Sequence, residues 1–377
     1  MKSVKIRENI YWVGGIDYDV RVFHGYETPQ GTTYNAYLIL DEKVTLIDTT
    51  KAPFTDEMLG RIREIIDPAK IDVLISNHVE PDHSGGLVRM AALCPDAEII
   101  TSPNGDRGLK AYYPELRSRT MKVVKTGDTY STGRYTFQFV LMPMVHWPDS
   151  MSTYLVEEKI LFSNDAFGQH ISGLERFDDE IGPDRLLERA GDYYANIVLP
   201  FGLQVGKLVG DTSTLPIETI CPSHGVILRT YVKEISAKYV QWAANETDPK
   251  KAVIVYDTMW GSTRLMAEKL SADLAAEGVR AELIALTHTH PSEAMRKLLE
   301  AKYIYVGSST LNRGVMHTVA AFLSYMKGLN PKNRVGLPFG SYGWSGESVG
   351  IIEQTMKDLG WEVRPAMKTL WKPEFNA

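Results

Sequence analysis

His78-Val79-Glu80-Pro81-Asp82-His83 places four metal-binding side chains within six positions. Average composition yields His-x-Glu-x-Asp-His by accident about once in a thousand chains of this length. An apolar, strand-like run at 71–76 precedes the motif, and a helical pattern at 84–93 follows it. Pro81 and the Gly85-Gly86 pair predict a loop between strand and helix across 78–83, not a helical turn. Such a loop directs alternate side chains toward two neighbouring ions. Three further donors follow apolar runs of their own: His146 after 137–144, Asp165 after 160–162 and His224 after 217–221. Side chains at strand ends are positioned by a sheet yet free to point into a common cleft. Four imidazoles and three carboxylates suffice to hold two metal ions.

Composition bounds the rest. The 377 residues are long enough for two domains with separate cores. Apolar residues make up 44% and charged residues 23%, as in ordinary globular proteins. A formal charge of −6 argues against a general nucleic-acid binder. Cys94 and Cys221 sit in separate apolar segments, so no disulfide framework is expected, and two thiols cannot supply an iron–sulfur cluster. The N-terminus lacks the apolar centre of a signal peptide, and no apolar run approaches the roughly 18 residues of a membrane span. The expectation is a soluble, cytoplasmic protein without membrane or nucleic-acid partners.

A polar run with a proline at 245–251 divides the chain into domains 1–248 and 249–377. Upstream, β-rich runs at 44–47, 71–76, 135–141, 159–162 and 217–221 alternate in part with helical patterns at 55–66 and 84–93. They predict an α/β domain with sheets wrapped by helices. Downstream, strands at 253–256, 281–286, 303–307, 334–339 and 361–367 alternate with helices from 262 and near 292–299, 318–326 and 348–359. Five such strands form a doubly wound parallel sheet with its ligand site at the strand C-termini. The C-terminal helix that usually closes such a sheet has no room before Ala377.

The first strand–helix turn of that series reads Asp257-Thr258-Met259-Trp260-Gly261-Ser262-Thr263. Backbone N–H groups and the hydroxyls of Thr258, Ser262 and Thr263 suit a phosphate at the positive end of a helix. No lysine follows the glycine, so this is not an ATP-binding Walker loop. Neutral donors point instead to the terminal phosphate of FMN. Two later loops flank the place of its ring. One is Ser308-Ser309-Thr310-Leu311-Asn312-Arg313-Gly314; the other is Ser341-Tyr342-Gly343-Trp344-Ser345-Gly346. Glycine-rich backbone allows close approach, and Trp344 or Tyr342 is available to stack on the ring. Core packing is the alternative for each aromatic, Trp147 and Trp260 included.

The metal motif resembles that of the metallo-β-lactamase fold, commonly His-x-His-x-Asp-His followed by His, Asp and His. Here Glu80 stands where hydrolases of that fold usually carry histidine. An anionic, harder ligand favours the oxidised, higher-charged ion, which shifts the expectation from zinc hydrolysis to non-haem iron redox.

Both constellations in this order resemble the flavodiiron protein family, in which a metallo-β-lactamase-like αββα sandwich precedes a flavodoxin-like domain. The resemblance spans nearly the whole chain. Besides the first motif it is carried by His146-Trp147-Pro148-Asp149-Ser150, Ser163-Asn164-Asp165-Ala166-Phe167-Gly168, Cys221-Pro222-Ser223-His224-Gly225 and the 256–263 loop. It implies that His78, Glu80 and His146 hold one iron, that Asp82, His83 and His224 hold the other, and that Asp165 bridges them. It also implies FMN, with Trp344 near the flavin, and reduction of dioxygen to water, of nitric oxide to nitrous oxide, or both. Head-to-tail dimers or dimers of dimers are implied, since the flavin of one chain then lies near its partner's irons. The implied electron donor is external, such as rubredoxin or a reduced deazaflavin. Two departures from the family pattern are the missing final helix and the lack of an appended rubredoxin domain.

Electron counting agrees. Two ferrous ions and one fully reduced flavin hold four electrons, the number that converts dioxygen to two waters. The main rival is a dizinc metallo-hydrolase with an appended flavodoxin-like domain, for which Glu80 and the flavin loops are unexplained. A non-catalytic electron carrier is the third reading, and the complete donor set argues against it. His24, His170, Tyr193 and Tyr194 are expected either to orient a ligand or to serve ordinary packing. His288, His290 and His317 are expected at the surface.

Overall fold

The computed structural model describes residues 2–374, and the chain within it divides into two compact units. Of the described residues, the first comprises 2–23, 28–193 and 203–240; the second comprises 24–27, 194–202 and 241–374.

In the first unit a seven-stranded sheet runs β1 (Val4–Arg7), β2 (Ile10–Trp12), β3 (Tyr37–Ile39), β4 (Thr45–Ile47), β5 (Val73–Ser76), β6 (Glu98–Thr101) and β7 (Met121–Val123), each beside the next. Its first four strands are antiparallel, and β4 to β7 are parallel. A five-stranded sheet follows in the same way: β8 (Thr129–Ser131), β9 (Thr136–Leu141), β10 (Met151–Leu155), β11 (Ile160–Asn164) and β12 (Thr219–Pro222).

Side chains alternate across these strands, and that period of two builds the layers. Tyr37, Ile39, Ile47, Val73 and Ile75 face inward and pack with Phe137, Phe139, Leu155, Ile160 and Phe162 of the second sheet. Their neighbours Leu38, Leu46 and Leu74 face the other way, onto Met58, Leu59 and Ile62 of helix Thr55–Arg63 and onto Leu87 and Met90 of helix Leu87–Leu93. Helices Pro183–Tyr193, Gly202–Thr212 and Val232–Ala243 supply further helical cover, and the class is the expected αββα sandwich. Strands β9 and β11 share a direction, each being antiparallel to β10, and β12 is parallel to β11. Their C-terminal ends therefore open at one edge.

One expectation is corrected here. Asp82 and His83 do not lie in an open loop but in a short helical turn, Pro81–Ser84, with Glu80 as its N-cap residue and Pro81 at its first position. Proline is tolerated there because that N–H has no helical partner anyway. The pattern at 84–93 is accordingly broken after Ser84 and resumes at Leu87. At the break, a Cβ on Gly85 would lie 2.4 Å from the Pro81 carbonyl oxygen and 2.6 Å from the Ala52 backbone nitrogen. Only glycine fits.

The second unit carries the parallel sheet. Strands β13 (Asp248–Asp257), β14 (Arg280–Ala285), β15 (Ala301–Ser309) and β16 (Val335–Tyr342) lie in the order β14-β13-β15-β16. The chain reverses its direction of winding at β13, so a crevice opens beyond the ends of β13 and β15. The strand expected at 361–367 forms instead as two pieces along β16: β17 (Glu362–Val363) and β18 (Met367–Leu370). Pro365 falls between them, where it has no N–H to give to a ladder. Among the described residues no helix follows β18; residues 375–377 lie outside that range.

Candidate diiron centre and flavin cavity

The seven metal-binding side chains predicted from sequence converge at the open edge of the sandwich and are all buried. They fall into two groups: His78, Glu80, His146 and Asp165 in one, and Asp82, His83 and His224 in the other. Within the first group, Glu80 Oε2 lies 3.2 Å from His78 Nε2 and 3.3 Å from His146 Nε2. In the second, Asp82 Oδ2 lies 3.2 Å from both His83 Nε2 and His224 Nε2. Asp165 reaches both. Its Oδ2 is 3.2 Å from His146 Nε2 and 3.5 Å from His78 Nε2, while its Oδ1 is 3.1 Å from His83 Nε2 and 3.6 Å from His224 Nε2.

These separations match the edges of a coordination shell. Donors about 2.1 Å from one ion stand about 3.0 to 3.4 Å apart, depending on the geometry. A second observation makes the same point. Both carboxylate oxygens of Asp82 and of Asp165, and both ring nitrogens of His83, are buried without a hydrogen-bond partner. Orphaned polar atoms at this density cost folding free energy unless a cation meets them. The donor set fits two metal ions.

The protein groups alone polarise one another strongly. Burial disfavours a charged imidazole, yet its hydrogen bonds to the carboxylates of Asp149 and Glu80 and the charge of Asp165 hold His78 well above the usual histidine range. Against the same effect of burial, the carboxylates bring His83 and His146 to about 9. Burial would raise Asp165, but His83 and His146 drive it well below the usual carboxylate range. Protons and cations thus compete for one set of donors.

The sequence reading gave no role to the groups that aim the imidazoles. His78 Nδ1 donates to Asp149 Oδ2 at 2.8 Å, and His224 Nδ1 donates to the Thr33 carbonyl at 2.7 Å, leaving each Nε2 for metal. Asp149 lay inside the quoted His146–Ser150 stretch, three residues beyond a donor, and that proximity was the available signal. Of the less certain candidates, His170 accompanies His224, with ring centroids 4.8 Å apart and its Nδ1 2.6 Å from Thr32 Oγ1. Tyr193 lies 6.0 Å from the His224 ring, whereas Tyr194 packs on Trp242. Trp147 stands edge-on to His78 at 5.2 Å. His24 occupies a left-handed turn at φ 49°. His288 and His317 are exposed and His290 is half-buried.

In the second unit a cavity of about 650 Å³ opens at the strand C-termini. Met259, Trp260, Ser262, Thr310, Ser341, Tyr342, Gly343 and Trp344 line it, all expected from sequence, together with Ser309. Leu265, Trp371 and Lys372 line it as well and were not foreseen. Gly261, at φ 88°, turns the chain into helix Ser262–Ala276. Thr258 Oγ1 accepts the Gly261 N–H at 3.1 Å. Thr263 is buried, and its hydroxyl pairs with Ser341 at 2.8 Å and Ser309 at 3.1 Å, so it braces two strand ends against the helix start rather than facing outward. Ser308 is likewise turned inward, accepting the Met316 N–H. Leu311 and Gly314 bridge across a tight turn in which Asn312 and Arg313 are left-handed, and Gly346 is left-handed at the start of helix Glu347–Asp358. Trp260 and Trp344 are 92% and 89% exposed beside the opening. Indoles so exposed around the cleft fit a planar aromatic ligand such as a flavin.

Comparison with known proteins places both units. Residues 32–225 match the model of the ODP family beta lactamase, and residues 254–364 match that of flavodoxin. The chain is 41% identical over 378 residues to a nitric oxide reductase of Moorella thermoacetica, covering 99% of this chain and 94% of that one. The structure of rubredoxin oxygen:oxidoreductase from Desulfovibrio gigas superposes with a TM-score of 0.95 at 39% identity, covering 99% of this chain and 94% of that one.

The chain belongs to the flavodiiron protein family. The flavodiiron protein of Giardia intestinalis superposes equally well, with a TM-score of 0.96 at 32% identity over 99% of this chain and 92% of that one. The order of units along this flavodiiron chain, sandwich first and parallel sheet second, is the order in which the two family models match.

Proposed function

We infer that this flavodiiron protein is an oxidoreductase that reduces dioxygen to water, nitric oxide to nitrous oxide, or both, at a non-haem diiron site fed by FMN. The carrying observation is the division of Asp165 between the two donor groups, one oxygen to each, within a chain of this family. A bridging carboxylate is what a two-ion centre requires and a single-ion centre does not.

In this reading His78, Glu80 and His146 hold one iron, Asp82, His83 and His224 hold the other, and Asp165 bridges. Residues 1–248 carry the irons. Residues 249–377 carry the flavin, held by residues 258–262, by Thr310, Leu311, Asn312, Arg313 and Gly314, and by Ser341, Tyr342, Gly343, Trp344 and Gly346, with the inward-turned Thr263 and Ser308 bracing these loops from within. When bound, the irons and flavin together supply up to four electrons, enough for one dioxygen or for the coupling of two nitric oxides.

The protein's part is positioning and exclusion of water. Asp149 and the Thr33 carbonyl fix which nitrogen each imidazole presents. Residual exposure falls on Glu80, Asp82 and His146, at 6–8%, while the other four donors are near 1%. A small diatomic molecule therefore approaches from the side these three share. Three carboxylates offset the charge of two ferrous ions and favour their oxidation. A hydrolase reading finds no use for the flavin cavity.

The external electron donor is of the kind that rubredoxin or a reduced deazaflavin provides, and the assembly is a head-to-tail dimer or a dimer of dimers. No helix among the described residues is long and apolar enough to cross a membrane, in keeping with a cytoplasmic location. The test is the Glu80→His variant, measured for iron content and for oxidase and nitric oxide reductase rates. The reading expects a folded protein with rates reduced at least about tenfold; unchanged rates would remove the role given to Glu80.

A further inference from the structure

The last segment of the described chain contributes to the flavin cavity in a way the nucleotide-binding loops do not. Strand β18 pairs with β16 up to Leu370 beside Tyr342. The next residue, Trp371, continues onto the loop beyond β16. Its backbone N–H donates to the Tyr342 carbonyl at 2.9 Å, and its indole Nε1–H donates to the Gly343 carbonyl at 3.1 Å. Two successive carbonyls of the loop that carries Trp344 are thus held by one residue. Trp371 is itself in the left-handed region, at φ 57°, a conformation unfavourable for a bulky side chain. Its ring is nevertheless 71% exposed and lines the cavity with Trp260 and Trp344.

Lys372 follows and lines the same cavity. Among the described residues that line it, Lys372 alone bears a formal charge. Its place in the sheet says which end of a flavin it faces. The phosphate loop leaves β13, whereas Lys372 leaves β18, and β15 and β16 lie between them. Three strand spacings amount to about 14 Å. Lys372 therefore leaves the sheet at the ring end, beside the 342–344 loop, and away from the phosphate loop.

We propose that residues 371–372 form a strap over the flavin ring, in which Trp371 positions the ring-binding loop and Lys372 favours the reduced ring electrostatically. The proposal rests on the reading that this cavity holds FMN. Fully reducing the ring adds two electrons and, at neutral pH, one proton, so the ring gains one negative charge. A nearby cation binds that form better than the neutral oxidised one, which raises the two-electron potential. Trp371 holds the loop equally in both states, so its loss weakens both forms alike.

The experiment measures FMN affinity and flavin midpoint potential on the full-length chain and four variants. Lys372→Met is expected to weaken reduced FMN relative to oxidised FMN by about tenfold, equivalent to about 30 mV for a two-electron couple. Lys372→Arg is expected to restore the potential, and the difference is expected to shrink as salt rises. Trp371→Ala is expected to raise the Kd for oxidised FMN about tenfold at unchanged potential, with Trp371→Phe intermediate because it keeps the ring and loses the N–H. Wild-type FMN binding with an unshifted potential in Lys372→Met overturns the electrostatic role. An unchanged Kd in Trp371→Ala overturns the positioning role. A wild-type chain that binds no FMN overturns the flavin reading and the strap with it.

Discussion

Asp149 fixes His78. One carboxylate oxygen accepts from His78 Nδ1 at 2.8 Å and from the Val79 N–H at 2.7 Å, so ring and backbone of the motif are held from the same atom. Both partners are buried, and no freely rotating donor intervenes. The imidazole is locked with Nε2 facing Glu80 and Asp165.

Replacing Asp149 by Asn keeps the size and removes the negative charge that favours the Nδ1–H tautomer. Outer partners of this kind typically contribute 10- to 100-fold in metal affinity. We expect Asp149→Asn to lose iron about tenfold faster to a chelator, with the fold retained by circular dichroism. Wild-type retention of iron would show that His78 is oriented by packing alone.

Asn35 performs a similar service for His224 from farther away in sequence. Its side-chain amide donates to the Pro222 carbonyl at 2.8 Å and the Gly225 carbonyl at 3.1 Å, its backbone N–H to the Ser223 carbonyl, and its Oδ1 accepts from Trp12 Nε1. Asn35→Ala leaves two buried carbonyls and an indole N–H without that partner, at a cost on the order of 2–3 kcal/mol. Denaturant unfolding of the first unit is expected to shift by that amount, with iron lost from the His224 position. A shift below about 0.5 kcal/mol would mean the His224 turn is held by other contacts.

Trp344 provides a test of the flavin cavity that leaves the metal centre untouched. Removing a stacking indole typically costs about 1–3 kcal/mol, or about 5- to 150-fold in affinity. Trp344→Ala is expected to release FMN at least about fivefold more readily while iron per chain stays constant. Equal FMN retention would move the ring away from the 342–344 loop.

Much of this organisation was legible in the chain because it rests on short-range patterns. Strand periodicity marked the runs ending before His146, Asp165 and His224, and parallel strands bring such ends to one edge. Glu80 distinguished iron redox from zinc hydrolysis through ligand chemistry alone. What was hidden depends on long-range pairing. Asp149 meets His78 across 71 positions and Asn35 meets Pro222 across 187, and nothing local announces either. The helical turn at Pro81–Ser84 was missed because proline was read as a helix breaker, when at the first helical position it is a starter. Trp371 escaped because Pro365 splits the edge strand, which shifts the strand end, and with it the ligand-facing position, to Leu370.

The most direct test of the central claim is an anaerobic measurement on natively purified protein. Iron, zinc and flavin are counted, and the fully reduced protein is mixed with dioxygen or with nitric oxide in separate stopped-flow runs. A diiron, FMN-fed reductase predicts about two irons and about one FMN per chain, with rapid oxidation by at least one gas and the ratio of rates naming the preferred substrate. Zinc in place of iron, with a flavin indifferent to both gases, would contradict it.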